Sequence, residues 1–425
     1  MVMNLTEQFL ARSAGKSRVS PGDIVTIKPD VMMGNDVTTA VTVRILNESG
    51  LDTFADKNKM FIVMSHFVPN KDIKTSEMTQ SIRKFVEKHK LPYFFEAGKG
   101  GIEHALLPDE GYVVAGDVVV GADSHSCTYG GIHAFAAGIG STDLAGAWVT
   151  GKIWMRVPET IKAAFHGIPK HPWTSAKDFV LHLIKEIGDD GATYQAIEYH
   201  GDAIENLTAE GKLTIANMAI EAGAKNAIFP FDKAIEAYEK GRARRPLNPV
   251  KVDPKAAFSR SFEWNVEDLE PQVSYPHLPS KAHPISKVMA EKIKVDQVFI
   301  GSCTNAKIED LRIAAKILKG KKLAPWVRGV AIPASQKIYL EAMQEGIVEI
   351  FAKAGFAVTG GTCGPCLGGH YGIIGPGEVM LSTSNRNFVG RTGHPKGMTY
   401  LCNPAVAAAS AVVGYIVDPC EVMGK

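Results

Sequence analysis

The sequence predicts an α/β chain built on parallel sheets, and three observations carry that prediction. Short apolar runs alternate with amphipathic stretches, the 425 residues exceed what one core usually holds, and polar residues gather directly after the apolar runs. Alternation of this kind covers both faces of parallel strands with helices. Ligands of such sheets sit beyond the carboxyl ends of the strands.

Taken in order, Leu5, Phe9 and Leu10 fall at helical spacing in a short amphipathic N-terminal segment that lacks the unbroken apolar core of a signal peptide. "KMFIVMSHF" (59–67) and "GYVVAGDVVVGADSH" (111–125) read as buried strands, with "TSEMTQSIRKFVEKHK" (75–90) as a helix between them. The polar residues of "MSHFVPN" and "GADSHSCTYGG" then lie at strand ends. "TIANMAIEAGAKNAI" reads as a helix ending near Gly223, and on it Asn217 and Glu221 share a face. The five basic residues between Lys240 and Lys251 are broken by prolines and lack interleaved aromatics, which reads as a solvated loop rather than a nucleic-acid patch. "EPQVSYPHLPSKAHP" (270–284), with four prolines, reads as a linker. "KVDQVFIGSCTNAKIEDLRIAAKIL" restarts a strand-turn-helix unit with Cys303 at the turn. The most apolar run, 405–417, falls short of the roughly 18 residues a bilayer span needs. A cytoplasmic protein is expected.

Composition excludes several classes. With 47 Lys and Arg against 45 Asp and Glu, the net charge of +2 gives no reason to expect nucleic acid or an anionic membrane as a partner. The six cysteines, in a chain with an ample core and no export signal, are expected as thiols or metal ligands rather than disulfides.

"GGTCGPCLGGHYG" (360–372) places Gly-Pro between Cys363 and Cys366, as thioredoxin-like dithiols do. The glycines that follow forbid the long helix such a pair needs. Four chemistries remain open on the residues alone: a dithiol, a zinc site with His370, structural thiols, or an iron-sulfur cluster on Cys303, Cys363 and Cys366. Glycine-rich backbone suits the last, because it approaches a bulky inorganic group closely and aims N–H groups at anionic sulfur.

Read together, "GSCTN", "GTCGPCLGG", "GADSHSCTYG" and "STSNRNFVGR" resemble the aconitase superfamily over nearly the whole chain. The likeness is nearest to the large subunits of its two-subunit members, the isopropylmalate and homoaconitate isomerases and dimethylmalate dehydratase. The resemblance implies three α/β domains (1–154, 155–284 with its linker, 285–425) around a [4Fe-4S] cluster held by Cys303, Cys363 and Cys366, with one iron lacking a protein ligand. It implies a hydro-lyase acting on a malate-type hydroxy acid, with isopropylmalate leading and homoaconitate or dimethylmalate as alternatives. Carried over by motif, His66, His104, Asp123, His125 and Glu221 form the catalytic set. Asn35, Ser124, Asn217, Asn385, Arg386 and Arg391 form the substrate-binding set. The swivelling domain of single-chain relatives is missing, so a separate small subunit is expected in a heterodimer or heterotetramer. Other classes the resemblance leaves are an iron-sulfur RNA-binding regulator and a catalytically reduced partner subunit. Cys127, Cys402 and Cys420 are expected to pack as small hydrophobes.

One residue departs from the pattern. Where most relatives carry Asp before the first histidine, this chain has Ser65. A neutral hydroxyl orients the imidazole without raising its pKa, so acid catalysis by His66 is expected to be weak unless a carboxylate such as Asp72 substitutes. On sequence alone, Ser65→Asp is expected to raise turnover.

Overall fold

The computed structural model describes residues 2–424. Its first sheet has five parallel strands in the spatial order Tyr93–Phe95, Met60–Val63, Val31–Asn35, Val118–Gly121 and Phe135–Gly138. The chain runs outward from Val31–Asn35, then returns to place Val118–Gly121 on the other side. The resulting crevice between those two strands is where an open parallel sheet binds its ligands. Asn35 ends one of these strands, and Asp123 follows the other by two residues.

The second sheet is also parallel, ordered Asn226–Ile228, Ala196–His200, Thr160–His166, Arg260–Asn265. In the seven-stranded third sheet, five parallel strands run Met398–Leu401, Val379–Ser382, Gln297–Ile300, Arg328–Ala331, Phe356–Val358. Its order reverses between Val379–Ser382 and Gln297–Ile300, a second switch point, and from it emerge Cys303 on one side and Asn385 with Arg386 on the other.

One sequence expectation changes and another gains detail. The proline-rich stretch 270–284 is structured: Gln272–Ser274 and Ala282–Pro284 pair antiparallel and extend the third sheet. The basic stretch near 245 is held against acids of the first segment, with Arg242 on Asp109, Arg244 on Glu110 and Arg245 on Asp117. The N-terminal helix is Leu5–Ser13, capped by Asn4, with Leu5, Phe9 and Leu10 fully buried. Among the described residues, no helix is long and apolar enough to cross a membrane.

The site turn is wedged between two of these layers. Residues Ser124–Ile132 coil as a 3-10 helix against the helix Ala209–Met218. Gly130 and Gly131 permit that contact: a Cβ on Gly130 would lie 1.5 Å from the carbonyl oxygen of Ala227, and one on Gly131 2.5 Å from the backbone nitrogen of Leu213. Close packing here fixes His125 relative to Asn217 and Glu221, which follow on that helix and the turn after it.

Candidate active site

The two switch points face one cavity of about 260 Å³. Asn35, His66, His104, Asp123, Ser124 and His125 line it from the first sheet, and Cys303, Cys363, Cys366, Asn385, Arg386 and Arg391 from the third. Asn217 and Glu221 reach it through hydrogen bonds. The rest of the lining is Thr38, Glu103 and four apolar side chains, Val37, Phe67, Ile102 and Leu367.

Asp123 is the hub. One carboxylate oxygen accepts from His104 Nε2 at 2.8 Å and from the backbone N–H of His125 at 2.8 Å. The other accepts from Asn35 Nδ2 at 3.2 Å and lies 3.9 Å from His66 Nε2. Asn35 does two jobs, since its own side-chain oxygen caps the helix Asp36–Glu48 through the N–H groups of Val37 and Thr38. Burial alone would raise the Asp123 pKa, but hydrogen bonds from His104 and His125 outweigh it and hold the carboxyl well below its usual range. Burial works against the charged form of His104 as well, yet Asp123 and the neighbouring Glu103 raise its pKa overall. Tyr129 accounts for the other ring nitrogen. Its hydroxyl donates to the Glu103 carbonyl at 3.3 Å and accepts from His104 Nδ1 at 3.3 Å, so both imidazole nitrogens donate, as an imidazolium requires.

A second chain of contacts runs His125–Glu221–Arg386. His125 Nε2 donates to Glu221 at 2.9 Å, and Arg386 Nε donates to both Glu221 oxygens at 2.7 and 2.9 Å. Burial lowers the Arg386 pKa and the Glu221 charge more than restores it. The Nε of Arg391 is buried without a hydrogen-bond partner, and so is one oxygen of Glu103. Unpaired buried polar atoms on a cavity wall are donors and acceptors held for a ligand.

Asp36 is the residue that sequence reasoning missed. Fully buried, it accepts the consecutive N–H groups of Ser65, His66 and Phe67 at 3.0, 2.8 and 2.6 Å, and its carboxylate lies 3.7 Å from His66 Nδ1. Ser65 Oγ meets the same ring nitrogen at 2.8 Å. A carboxylate therefore does stand beside His66, brought by the first residue of the helix Asp36–Glu48 rather than by position 65. Asp72 does not supply it: that carboxylate caps the helix Ile73–His89 and pairs with Lys71. The signal available in sequence was only adjacency, Asp36 following Asn35 and Glu103 preceding His104.

All three cavity cysteines are buried free thiols. Burial pushes Cys303 up to about 12 and Cys363 well above the ordinary thiol range, so only a bound cation would make them thiolates. Cys303 Sγ accepts from Asn217 Nδ2 at 3.1 Å and Asn385 Nδ2 at 3.6 Å, donors placed for an anionic sulfur. The turn before it is strained, with Ser302 at φ +80°. Among the described residues, the metal-capable groups with donor atoms mutually within 4.8 Å are His66/Glu103/Asp123 and His171/Asp418/Cys420. Cys303, Cys363 and Cys366 are not one of these groups. In the second group the Trp173 N–H donates to His171 Nδ1 at 3.3 Å, which leaves Nε2 as the protonated donor to Asp418 at 3.0 Å. That contact ties the second segment to the C-terminal tail.

Residues 9–414 match the aconitase family (aconitate hydratase). The chain belongs to the aconitase family. It is 52% identical over 429 residues to the 3-isopropylmalate dehydratase large subunit of Aquifex aeolicus, covering 100% of this chain and 98% of that protein. With the protein of the same name from Hydrogenobaculum sp. it shares 54% over 422 residues, covering 99% of this chain and 98% of the relative. The solved Thermococcus kodakaraensis aconitase X covers 91% of this chain and 94% of its own, at 12% identity and TM-score 0.49, a likeness too remote to carry weight.

Proposed function

We propose that the chain is the large subunit of a 3-isopropylmalate dehydratase, which removes water from an isopropyl-substituted malate and restores it in the other orientation, in leucine biosynthesis. The observation that carries this reading is one cavity lined by three metal-capable thiols, an imidazolium-carboxylate pair, two arginines and four apolar side chains. Full-length identity near one half to relatives of that name supports it.

Cys303, Cys363 and Cys366 would hold a [4Fe-4S] cluster; when bound, its iron without a protein ligand supplies the Lewis acid that draws off hydroxide. The chain's own residues would bind the substrate and protonate its leaving oxygen, while the base that takes the carbon-bound proton would come from the small subunit. Arg386, its Nε fixed by Glu221, and Arg391, with its unpaired Nε, grip the substrate carboxylates as paired planar donors. His66, oriented by Ser65 and placed beside Asp36, hands a proton to the departing oxygen. His104, charged by Asp123 and with both ring N–H groups engaged, contributes a fixed positive charge where negative charge accumulates. Asn217 and Asn385 donate to the Cys303 sulfur. Val37, Phe67, Ile102 and Leu367 exclude water and accept the isopropyl group.

The relatives' names imply a separate small subunit. The loops carrying Cys366 and Arg386 also expose Ile373, Phe388 and Val389, an apolar rim against which such a partner would close. The test is anaerobic reconstitution with iron and sulfide, with and without the small subunit, followed by assay on 3-isopropylmalate and citrate. We expect turnover of isopropylmalate with the partner and essentially none without it. Robust turnover by the chain alone, or a preference for citrate, rejects the reading.

The geometry also reverses the expectation for Ser65. The side chain is fully buried, and Asp36 already occupies the turn. A second carboxylate there repels the first and pays its own desolvation, so Ser65→Asp should lower kcat by about tenfold. Raised kcat in the assembled enzyme would show that Asp36 does not supply the charge.

A further inference from the structure

Lys177 sits in the first turn of the helix Ala176–Ile187, with its side chain fully buried. Its ammonium donates to the backbone carbonyls of Thr383 at 2.6 Å and Ser384 at 2.7 Å. Those are the two residues immediately before Asn385 and Arg386.

The placement is costly twice over. A buried ammonium loses its hydration, and a helix N-terminus, with its partial positive charge, is the wrong end for a cation. Burial lowers the Lys177 pKa to about 8. The adjacent Asp178 does not relieve it by contact, since its carboxylate is engaged by Ser175, the Gln272 N–H and Asn403. What the ammonium gains is the loop. Thr383 Oγ1 accepts from the Gly301 N–H at 3.0 Å, which ties the same loop to the turn bearing Cys303. The Arg386 loop is thus held from the third sheet by a hydroxyl and from the second segment by a charge. A cation reaching across from another segment is an expensive way to hold backbone, and the residues it holds directly precede the two that face the cavity.

We propose that Lys177 is a positioning residue: its buried ammonium pins the Thr383 and Ser384 carbonyls so that Asn385 and Arg386 point into the cavity. This rests on the reading of Arg386 as a substrate-binding group. Misplacement of such a group by about 1 Å costs up to about 100-fold in rate, far more than the loss of a surface contact.

The experiment uses the assembled, cluster-loaded enzyme. Lys177→Met is expected to keep its iron and sulfide content while KM for 3-isopropylmalate rises about tenfold or more. The substrate-dependent change in the EPR spectrum of the oxidised cluster should titrate at the same raised concentration. Arg386→Lys should raise KM as well, and the double variant should be no worse than the worse single one, because both act through one contact. A purely structural role predicts additive losses and an unshifted EPR titration. Lys177→Met with unchanged KM beside an impaired Arg386→Lys overturns the role of Lys177 alone; Arg386→Lys with unchanged KM overturns the substrate-site reading together with it. Should Lys177→Met fail to fold, Lys177→Arg keeps the charge but moves the donors, and a KM equal to the parent's overturns the proposal.

Discussion

Asp123→Asn is expected to lower kcat by about 10²- to 10³-fold in a chain that still folds and still binds iron at its thiols. The substitution preserves shape and changes what the position accepts. Asp123 takes hydrogen bonds from His104 Nε2, the His125 N–H and Asn35 Nδ2. An amide presents one oxygen and one NH2 to these three donors, so at least one is left facing a donor in a buried place. His104 gives up its proton as the cheapest relief, and with it the positive charge beside the substrate. The pH dependence follows from the shifts. Asp123 titrates well below its unfolded value, so its contribution to stability is present above the ordinary carboxylate pKa and is lost as pH falls through the depressed folded value. His104 titrates above its unfolded value of about 6.5, so its contribution is full below that pH and is lost as pH rises through the raised folded value. The pair therefore stabilises most in the window between, near pH 5 to 6. Denaturant midpoints of parent and variant should differ most in that window and converge toward both extremes. A variant with unchanged kcat at neutral pH, or a midpoint difference that is flat with pH, would remove Asp123 from the centre of the site.

How far the sequence could reveal this site depended on distance along the chain. Alternating apolar runs gave away the parallel sheets because a strand and the helix beside it are local features. The motifs that meet at the cavity were readable for the same reason: Asp123 to His125, Cys363 to Cys366 and Asn385 to Arg391 are each one short turn after a strand. Asp36 was not readable. It meets Ser65, His66 and Phe67 because Asn35 pairs with Val63 in adjacent parallel strands, which brings together whatever follows each of them. No one-dimensional pattern encodes that pairing, so Ser65 looked like a missing charge and Asp72, merely close in sequence, looked like its replacement. The stretch 270–284 misled for a related reason. Its prolines fall at the ends and between two three-residue strands at the sheet edge, where proline is tolerated, and a proline count cannot tell an edge hairpin from a linker. Lys177 was equally invisible, since a lysine in a helical pattern reads as surface until the fold shows what lies above it.

Asp36→Asn should cost both folding and chemistry, about 3 kcal/mol of stability and about 100-fold in kcat. The carboxylate accepts three consecutive backbone N–H groups, at 3.0, 2.8 and 2.6 Å, from a position with no exposed surface. Hydrogen bonds to a charged acceptor contribute about 1.5 to 3 kcal/mol each. Asparagine keeps one acceptor oxygen and turns an NH2 toward donors that cannot reciprocate. Asp36 is also the first residue of the helix Asp36–Glu48, where a negative charge offsets the helix dipole, so the substitution loses that term as well. Damage then spreads along the turn. The Ser65 carbonyl accepts from the Cys363 N–H at 2.8 Å and from Thr362 Oγ1 at 2.8 Å, so a turn released from Asp36 loosens the loop that presents two of the three thiols. Three measurements should therefore move together: the urea midpoint falls, kcat falls, and iron is lost to a chelator faster than from the parent. Loss of kcat with an unchanged midpoint would mean that Asp36 acts only as a charge beside His66. Loss of stability with unchanged kcat would mean that it only builds the turn, and that the proton delivered to the leaving oxygen comes from a group other than His66.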